Sequence, residues 1–194
     1  MAASGTPKTR PPVPTKAELA AAATKTVPDL VGPGLRVLFC GINPGLYTAA
    51  TGHHFARPGN RFWPALHGSG FTDRLLYPWE GPELLRQGLG ITNVVARTTA
   101  TAAELGAADY EEGGRRLTAT VRKYRPSVLA VLGVGAYRSA FAARSATVGL
   151  QEATIDGTAV WVLPNPSGLN ANYQLPDFIR LFVELRGCLE RART

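Results

Sequence analysis

The stretch Arg36-Val37-Leu38-Phe39-Cys40-Gly41-Ile42-Asn43-Pro44-Gly45 decides the fold. Its first five residues are mostly apolar and are bounded by Gly34 and Gly41, the pattern of a strand buried on both faces. The run ends in an Asn-Pro-Gly turn, so the chain passes directly from a buried strand into a loop. Similar β-branched runs recur at 91–95, 128–132 and 160–163, and the last leads into Pro164-Asn165-Pro166-Ser167-Gly168-Leu169. Segments of helical pattern separate these runs, which is the rhythm of parallel βαβ units. Two Asn-Pro turns at the carboxyl ends of two strands can face each other across one crevice, where open α/β sheets hold their ligands. The expected fold is α/β: three layers, α/β/α, around a short, mainly parallel central sheet.

The helices are read from their boundaries. Leu84-Leu85 closes one before Gly88, a good terminating residue. A second begins near Asp109, whose side chain pairs in capping-box fashion with Glu112, and runs through Leu117, Val121 and Tyr124 until Pro126 stops it. In the last, Leu175, Phe178, Ile179, Phe182, Leu185 and Leu189 recur at three- and four-residue spacing, with Arg180 and Glu184 on the opposite face.

A chain of 194 residues fits one domain with a single core. Residues 1–29 are expected to be a flexible Pro/Ala-rich N-terminal tail, because Pro7, Pro11, Pro12 and Pro14 break regular structure and no apolar periodicity asks for burial. Thr15 and Glu18 form a capping-box pattern there, so a short helix is expected without strong packing. Residues 30–194 form the single domain. Cys40 and Cys188 read as buried, reduced thiols. No Cys/His spacing suits zinc or an iron–sulfur cluster, and neither metal nor organic cofactor is expected. No apolar stretch approaches a membrane span and the opening residues lack a signal-peptide core, so a cytoplasmic location is expected.

The net charge of +7 favours a polyanionic partner, and Arg far outnumbers Lys among the 21 basic residues. Arginine suits bidentate phosphate contact, although a biased genome composition would give the same excess.

Between the two turns lies Gly52-His53-His54-Phe55-Ala56-Arg57-Pro58-Gly59-Asn60-Arg61-Phe62-Trp63. Together with Gly41-Ile42-Asn43-Pro44-Gly45, Gly90-Ile91-Thr92-Asn93 and Leu163 to Asn170, it gives an ordered match from Leu35 to about Gly187. Over that span the chain resembles the mismatch-specific uracil-DNA glycosylases, which share the uracil-DNA glycosylase superfamily with thymine-DNA glycosylase. The resemblance implies hydrolysis of the base–sugar bond of uracil flipped out of mismatched double-stranded DNA, by a monomer. Such cleavage builds positive charge on the sugar and negative charge on the base, so it needs a placed water and donors aimed at the base.

The resemblance puts Asn43 in the catalytic position, where an amide oxygen can hold water but cannot act as a strong base. Asn93 falls at a pocket-side position of variable polar character, and a catalytic role and a turn cap are both open for it. Phe55 corresponds to the ring that stacks on the flipped base. Ile42 and Asn165 are implied base contacts, and Thr48 borders the base where a thymine methyl would press. Ser167, Gly168, Leu169 and Asn170 correspond to the DNA-facing loop, with Leu169 as the wedge filling the gap. Asn170 departs from the Ser of some relatives. Arg57 and Arg61 are expected to touch phosphates or the loop's own carbonyls. Adjacent His53 and His54 make a poor metal site, and Trp63, Trp79 and Trp161 read as packing residues. Two rivals remain: a module that binds mismatches or abasic DNA without turnover, and a small-molecule nucleotide hydrolase. The latter gives Leu169 no task.

Overall fold

The computed structural model describes residues 10–191. Five strands, β1 (Val37–Gly41), β2 (Leu89–Asn93), β3 (Val128–Leu132), β4 (Gly149–Ile155) and β5 (Thr158–Leu163), form one sheet in the order β2-β1-β3-β5-β4. All pairings are parallel except β4 with β5. Among the described residues the α-helices are, in chain order, α1 (Lys16–Ala21), α2 (Leu46–Thr51), α3 (Phe62–Gly68), α4 (Glu83–Arg86), α5 (Ala107–Tyr124), α6 (Val134–Phe141) and α7 (Leu175–Arg191).

Strand alternation sorts the core into two slabs. Val37, Phe39, Leu89, Ile91, Val128, Ala130, Trp161 and Leu163 pack with α3 and with Phe178, Phe182 and Leu185 of α7. Leu38, Cys40, Leu129, Val131, Val160 and Val162 pack on the other face with Leu117 and Val121 of α5 and Ala136 and Tyr137 of α6. The architecture is the three-layer α/β/α sandwich read from the sequence. Phe39 centres the first slab, stacked on Phe182 at 5.7 Å and edge-on to Phe62 at 5.3 Å.

Several boundaries differ from expectation. The second strand was placed at 91–95 but runs Leu89–Asn93, because Val94 and Val95 are buried under α5 after leaving the strand. The antiparallel hairpin β4–β5 has no counterpart in the sequence reading: β4 is an edge strand with Leu150, Glu152, Ala153 and Thr154 exposed, so it shows no apolar run. α5 starts at Ala107, and Asp109 sits inside it, accepting a hydrogen bond from the Gly106 N–H at 2.9 Å, while Glu112 pairs with Arg115 instead. Cys40 is buried and its thiol pKa is pushed up by that burial, but Cys188 is only half-buried.

The expected tail is a packed segment in its second half. Residues 1–9 lie outside the described residues. Thr15 and Glu18 do form the capping box of α1, and α1 itself buries nothing. Beyond it Ala22 and Val27 are buried with Ala49 of α2. Leu30 pairs with Ile91 through two backbone hydrogen bonds of 2.8 Å. Two small side chains and main-chain ties anchor this segment, which carries no helical or strand periodicity.

Gly113 and Gly114 let α5 sit unusually close to its neighbours. A Cβ at Gly114 would lie 2.4 Å from the Ala140 carbonyl oxygen of α6. Gly114→Ala is therefore expected to force the two helices apart at a cost of about 1–3 kcal/mol. Thermal unfolding would show this as a melting temperature several degrees lower; an unchanged melting point would mean the helices do not touch there.

Candidate active site

The loops leaving β1, β2 and β5 meet at the carboxyl end of the sheet around a cleft of about 470 Å³. It is lined by Ile42, Asn43, Thr48, Phe55, Arg57, Asn93, Asn165, Ser167, Leu169 and Asn170, all singled out from the sequence. Gly168 and Arg61 stand behind this lining. Thr99 to Ala102, Gly45, His54 and Asn60 complete the wall and were not anticipated there.

The β1 and β2 loops continue side by side beyond the sheet. The Val94, Val95 and Thr99 N–H groups donate to the carbonyls of Gly41, Ile42 and Pro44 at 2.8, 2.9 and 3.2 Å. Asn43 is locked across this seam. Its Nδ2 donates to Thr99 Oγ1 at 2.7 Å and to the Arg97 carbonyl at 3.0 Å, with the Pro44 carbonyl at 3.3 Å. A carbonyl can only accept, so the amide nitrogen must face these groups. Thr99 in turn donates its hydroxyl proton to the Thr101 carbonyl at 2.8 Å. Among the described residues Asn43 Oδ1 has no hydrogen-bond partner, and Asn43 lines the cleft, so that oxygen can accept there.

Asn93 is only 5% exposed, and its side chain makes no hydrogen bond among the described residues. It does not cap a turn. A Cβ at Gly41 would fall 2.6 Å from Asn93 Oδ1 and 3.3 Å from the Phe55 ring, so glycine at 41 is what lets these two groups close over β1. Phe55 adopts a left-handed backbone, φ 53°, uncommon for an aromatic residue, and its ring stacks on Phe62 at 4.1 Å. Thr48 is buried and lines the cleft.

Opposite, Asn165 Oδ1 accepts from the Ser167 N–H at 3.1 Å, Ser167 Oγ accepts from the Leu169 N–H at 3.3 Å, and Asn170 Nδ2 donates to the Asn165 carbonyl at 2.9 Å. These bonds fold the loop on itself and leave the Leu169 side chain 74% exposed. Gly168 permits close approach to the 57–60 loop: a Cβ there would lie 2.8 Å from the Gly59 carbonyl oxygen.

Arg61 clamps the same loop, donating to the Ser167 and Asn170 carbonyls at 2.8 and 3.1 Å and to Gln174 Oε1 at 3.1 Å. The carbonyls it holds belong to the 165–170 loop and not, as expected, to its own loop. Arg57 is exposed at the cleft wall, and its side chain makes no hydrogen bond or ion pair among the described residues.

The cleft lining carries no carboxylate. His54 is buried, which lowers its pKa and keeps it neutral, and its Nε2–H donates to the Pro28 carbonyl at 2.9 Å. Trp63 Nε1–H donates to the His54 carbonyl at 3.1 Å. Among the described residues no group of three or more His, Cys, Asp or Glu is placed to hold a metal ion. Trp63 and Trp161 are core residues, whereas Trp79 stacks on exposed Tyr77 at 4.8 Å. What such a cleft can do is stack a planar ring on Phe55, offer amides to its polar edge, and hold a water on Asn43 Oδ1.

Comparison with known proteins agrees with this geometry. A solution NMR structure from Methanosarcina acetivorans, provisionally named a uracil DNA glycosylase, superposes with a TM-score of 0.57 at 18% identity, covering 86% of this chain and 98% of that one. At that identity the likeness speaks for the fold. The family profile described as the uracil DNA glycosylase superfamily matches residues 28–186, which span all five strands and both cleft loops. The chain belongs to the uracil DNA glycosylase superfamily and is a DNA glycosylase.

Proposed function

We propose that the chain is a monofunctional glycosylase of the mismatch-specific uracil-DNA type, related to thymine-DNA glycosylase, that removes uracil flipped from double-stranded DNA at a G·U mismatch. The observation that carries this reading is the clamped amide of Asn43, whose free oxygen shares the cleft with Phe55 and faces the loop bearing exposed Leu169.

In the proposed reaction the flipped uracil stacks on Phe55, with the backbone around Ile42 and the Asn165 amide reading its polar edge. The C1′–N1 bond breaks with its electron pair leaving on the base, so the sugar acquires cationic character before water is fully committed. Asn43 Oδ1 orients that water toward C1′, and the water's proton passes to solvent once the C–O bond forms. With no carboxylate in the lining, the rate rests on donors to the departing anion and on placement of the water. Buried Thr48 narrows the wall on which a 5-methyl group would press, which supports a preference for uracil over thymine. Leu169 fills the gap left in the stack. The cost of opening that gap is a few kcal/mol and smallest at a mismatch, which supports the mismatch preference. Arg57 is the phosphate contact of this loop set, and Ser167, Gly168 and Asn170 form the remaining DNA-facing surface.

The direct test is release of uracil from a labelled U·G duplex, read by alkaline cleavage of the abasic product; binding without cleavage would leave a recognition module instead. Asn43→Ala is expected to lower single-turnover release by roughly 10²–10³-fold, while affinity for an abasic duplex stays within a few-fold. Comparable rates for mutant and parent would remove Asn43 from the chemistry.

Leu169→Ala is expected to slow excision from U·A pairs more than from U·G pairs, because the mismatched base opens more easily. Equal losses on both duplexes would exclude the wedge.

Asn93→Asp places a carboxyl in a site only 5% exposed. Burial raises a carboxyl pKa, so the charged form, which stabilises the cationic sugar, exists only above that raised value. Excision by this variant is expected to climb with pH along a limb displaced upward from the ordinary carboxylate range. Rate profiles from pH 5 to 9 check this, and a profile parallel to that of the parent would show that Asn93 does not face the reacting sugar.

A further inference from the structure

Beyond Asn93 the chain passes under α5: the Val94 and Val95 N–H groups still bond to the Gly41 and Ile42 carbonyls, while the carbonyls of Asn93 and Val94 meet the helix. Such carbonyls need a donor. Arg116 of α5 supplies it: its Nη2 donates to the Val94 carbonyl at 3.2 Å and, in a shorter contact, to the Asn93 carbonyl. One turn earlier, Gly113 brings the helix so close that a Cβ there would lie 2.5 Å from the Val94 carbonyl oxygen.

The other arm of the Arg116 guanidinium meets Asp29 Oδ2 at 3.4 Å. Asp29 belongs to the N-terminal segment, whose neighbouring residues hold the far end of this same loop, the loop that carries His54, and α2. The Lys25 carbonyl accepts from Thr98 Oγ1 at 2.5 Å, one residue before the Thr99 that holds Asn43. The Pro28 carbonyl accepts from His54, one residue before Phe55, and Val27 packs on Ala49, one residue after Thr48.

We propose that residues 22–30 are a brace for the active site and that Arg116, held by Asp29, is the positioning residue that fixes Asn93 and the 94–99 loop. Among the described residues the Arg116 guanidinium bonds to two backbone carbonyls and Asp29, so it acts through the residues it holds. A planar fork is the group for this task, since it serves two carbonyls and a carboxylate at once. The inference rests on the reading of the cleft as a uracil site for its effect on rate, but not for its effect on loop order.

The test compares Arg116→Ala, Arg116→Lys and Asp29→Asn with the parent in three measurements: single-turnover release from U·G duplex, affinity for an abasic duplex, and amide hydrogen exchange at residues 94–99. Arg116→Ala is expected to slow release roughly tenfold, to leave affinity within about twofold, and to speed exchange across 94–99. Arg116→Lys should restore part of both, because an ammonium can serve one carbonyl but not the fork's full set. Asp29→Asn should show the same exchange signature more weakly, and it reports on the brace if Arg116→Ala does not fold. A loss of affinity with an altered salt dependence and an unchanged bound-state rate would make Arg116 a phosphate contact and overturn the proposal. A lowered melting temperature with unchanged rate and exchange would overturn it as well. If the parent releases no uracil, the function proposed above fails while hydrogen exchange still decides the brace.

Discussion

The orientation of one side-chain amide governs the site. Asn43 can present its oxygen to the cleft only because acceptors on the β2 loop claim its nitrogen. That loop lies within reach because the parallel register of β1 and β2 extends past the sheet, from Gly41 and Val94 to Pro44 and Thr99. The register in turn needs a bare α-carbon at Gly41, where Asn93 and Phe55 close in, and at Gly113, where α5 settles on Val94. Removing any of these supports would leave the amide free to rotate, and a rotated amide offers water a donor instead of an acceptor.

The second loop answers to a different constraint. An exposed leucine gains nothing in the free protein, so its loop must be held open by other bonds. Arg61 does this by gripping the carbonyls of Ser167 and Asn170, and the Arg61 N–H adds a bond of 2.9 Å to the Pro166 carbonyl. Asn165, Ser167 and Asn170 complete the turn with side-chain-to-backbone bonds. Preorganisation of this kind lowers the ordering cost of binding any ligand the loop engages.

What the sequence disclosed follows the reach of each signal. The buried strands and α7 were legible because periodicity and β-branched runs are local. β4 was hidden by its polar edge character, although Asp156-Gly157, both with positive φ, is the two-residue hairpin turn that joins it to β5 and could have been read. Asn43, Phe55, Asn165 and Leu169 were found because they sit within the ordered motifs. Thr99 was not, since Thr98-Thr99-Ala100-Thr101 reads as an ordinary polar loop and its role depends on a carbonyl and an amide more than fifty residues away in sequence. Arg116 and the packed segment at 22–30 escaped for the same reason: their ties run through main-chain carbonyls, of Asn93 and Val94 for Arg116 and of Lys25 and Pro28 in the segment, which leave no mark in side-chain patterns. Arg61 shows the converse, a basic residue expected at a phosphate whose guanidinium is turned onto the carbonyls of the 165–170 loop.

The clamped amide is tested most directly by a crystal structure of the protein bound to a U·G duplex in which a 2′-fluoro substituent on the uridine blocks departure of the base. Uracil stacked on Phe55, with a water between Asn43 Oδ1 and C1′ at hydrogen-bond distance from the amide, is the expected result. An Asn43 amide turned so that its nitrogen faces the sugar, or a uracil lodged outside the cleft, would contradict the mechanism.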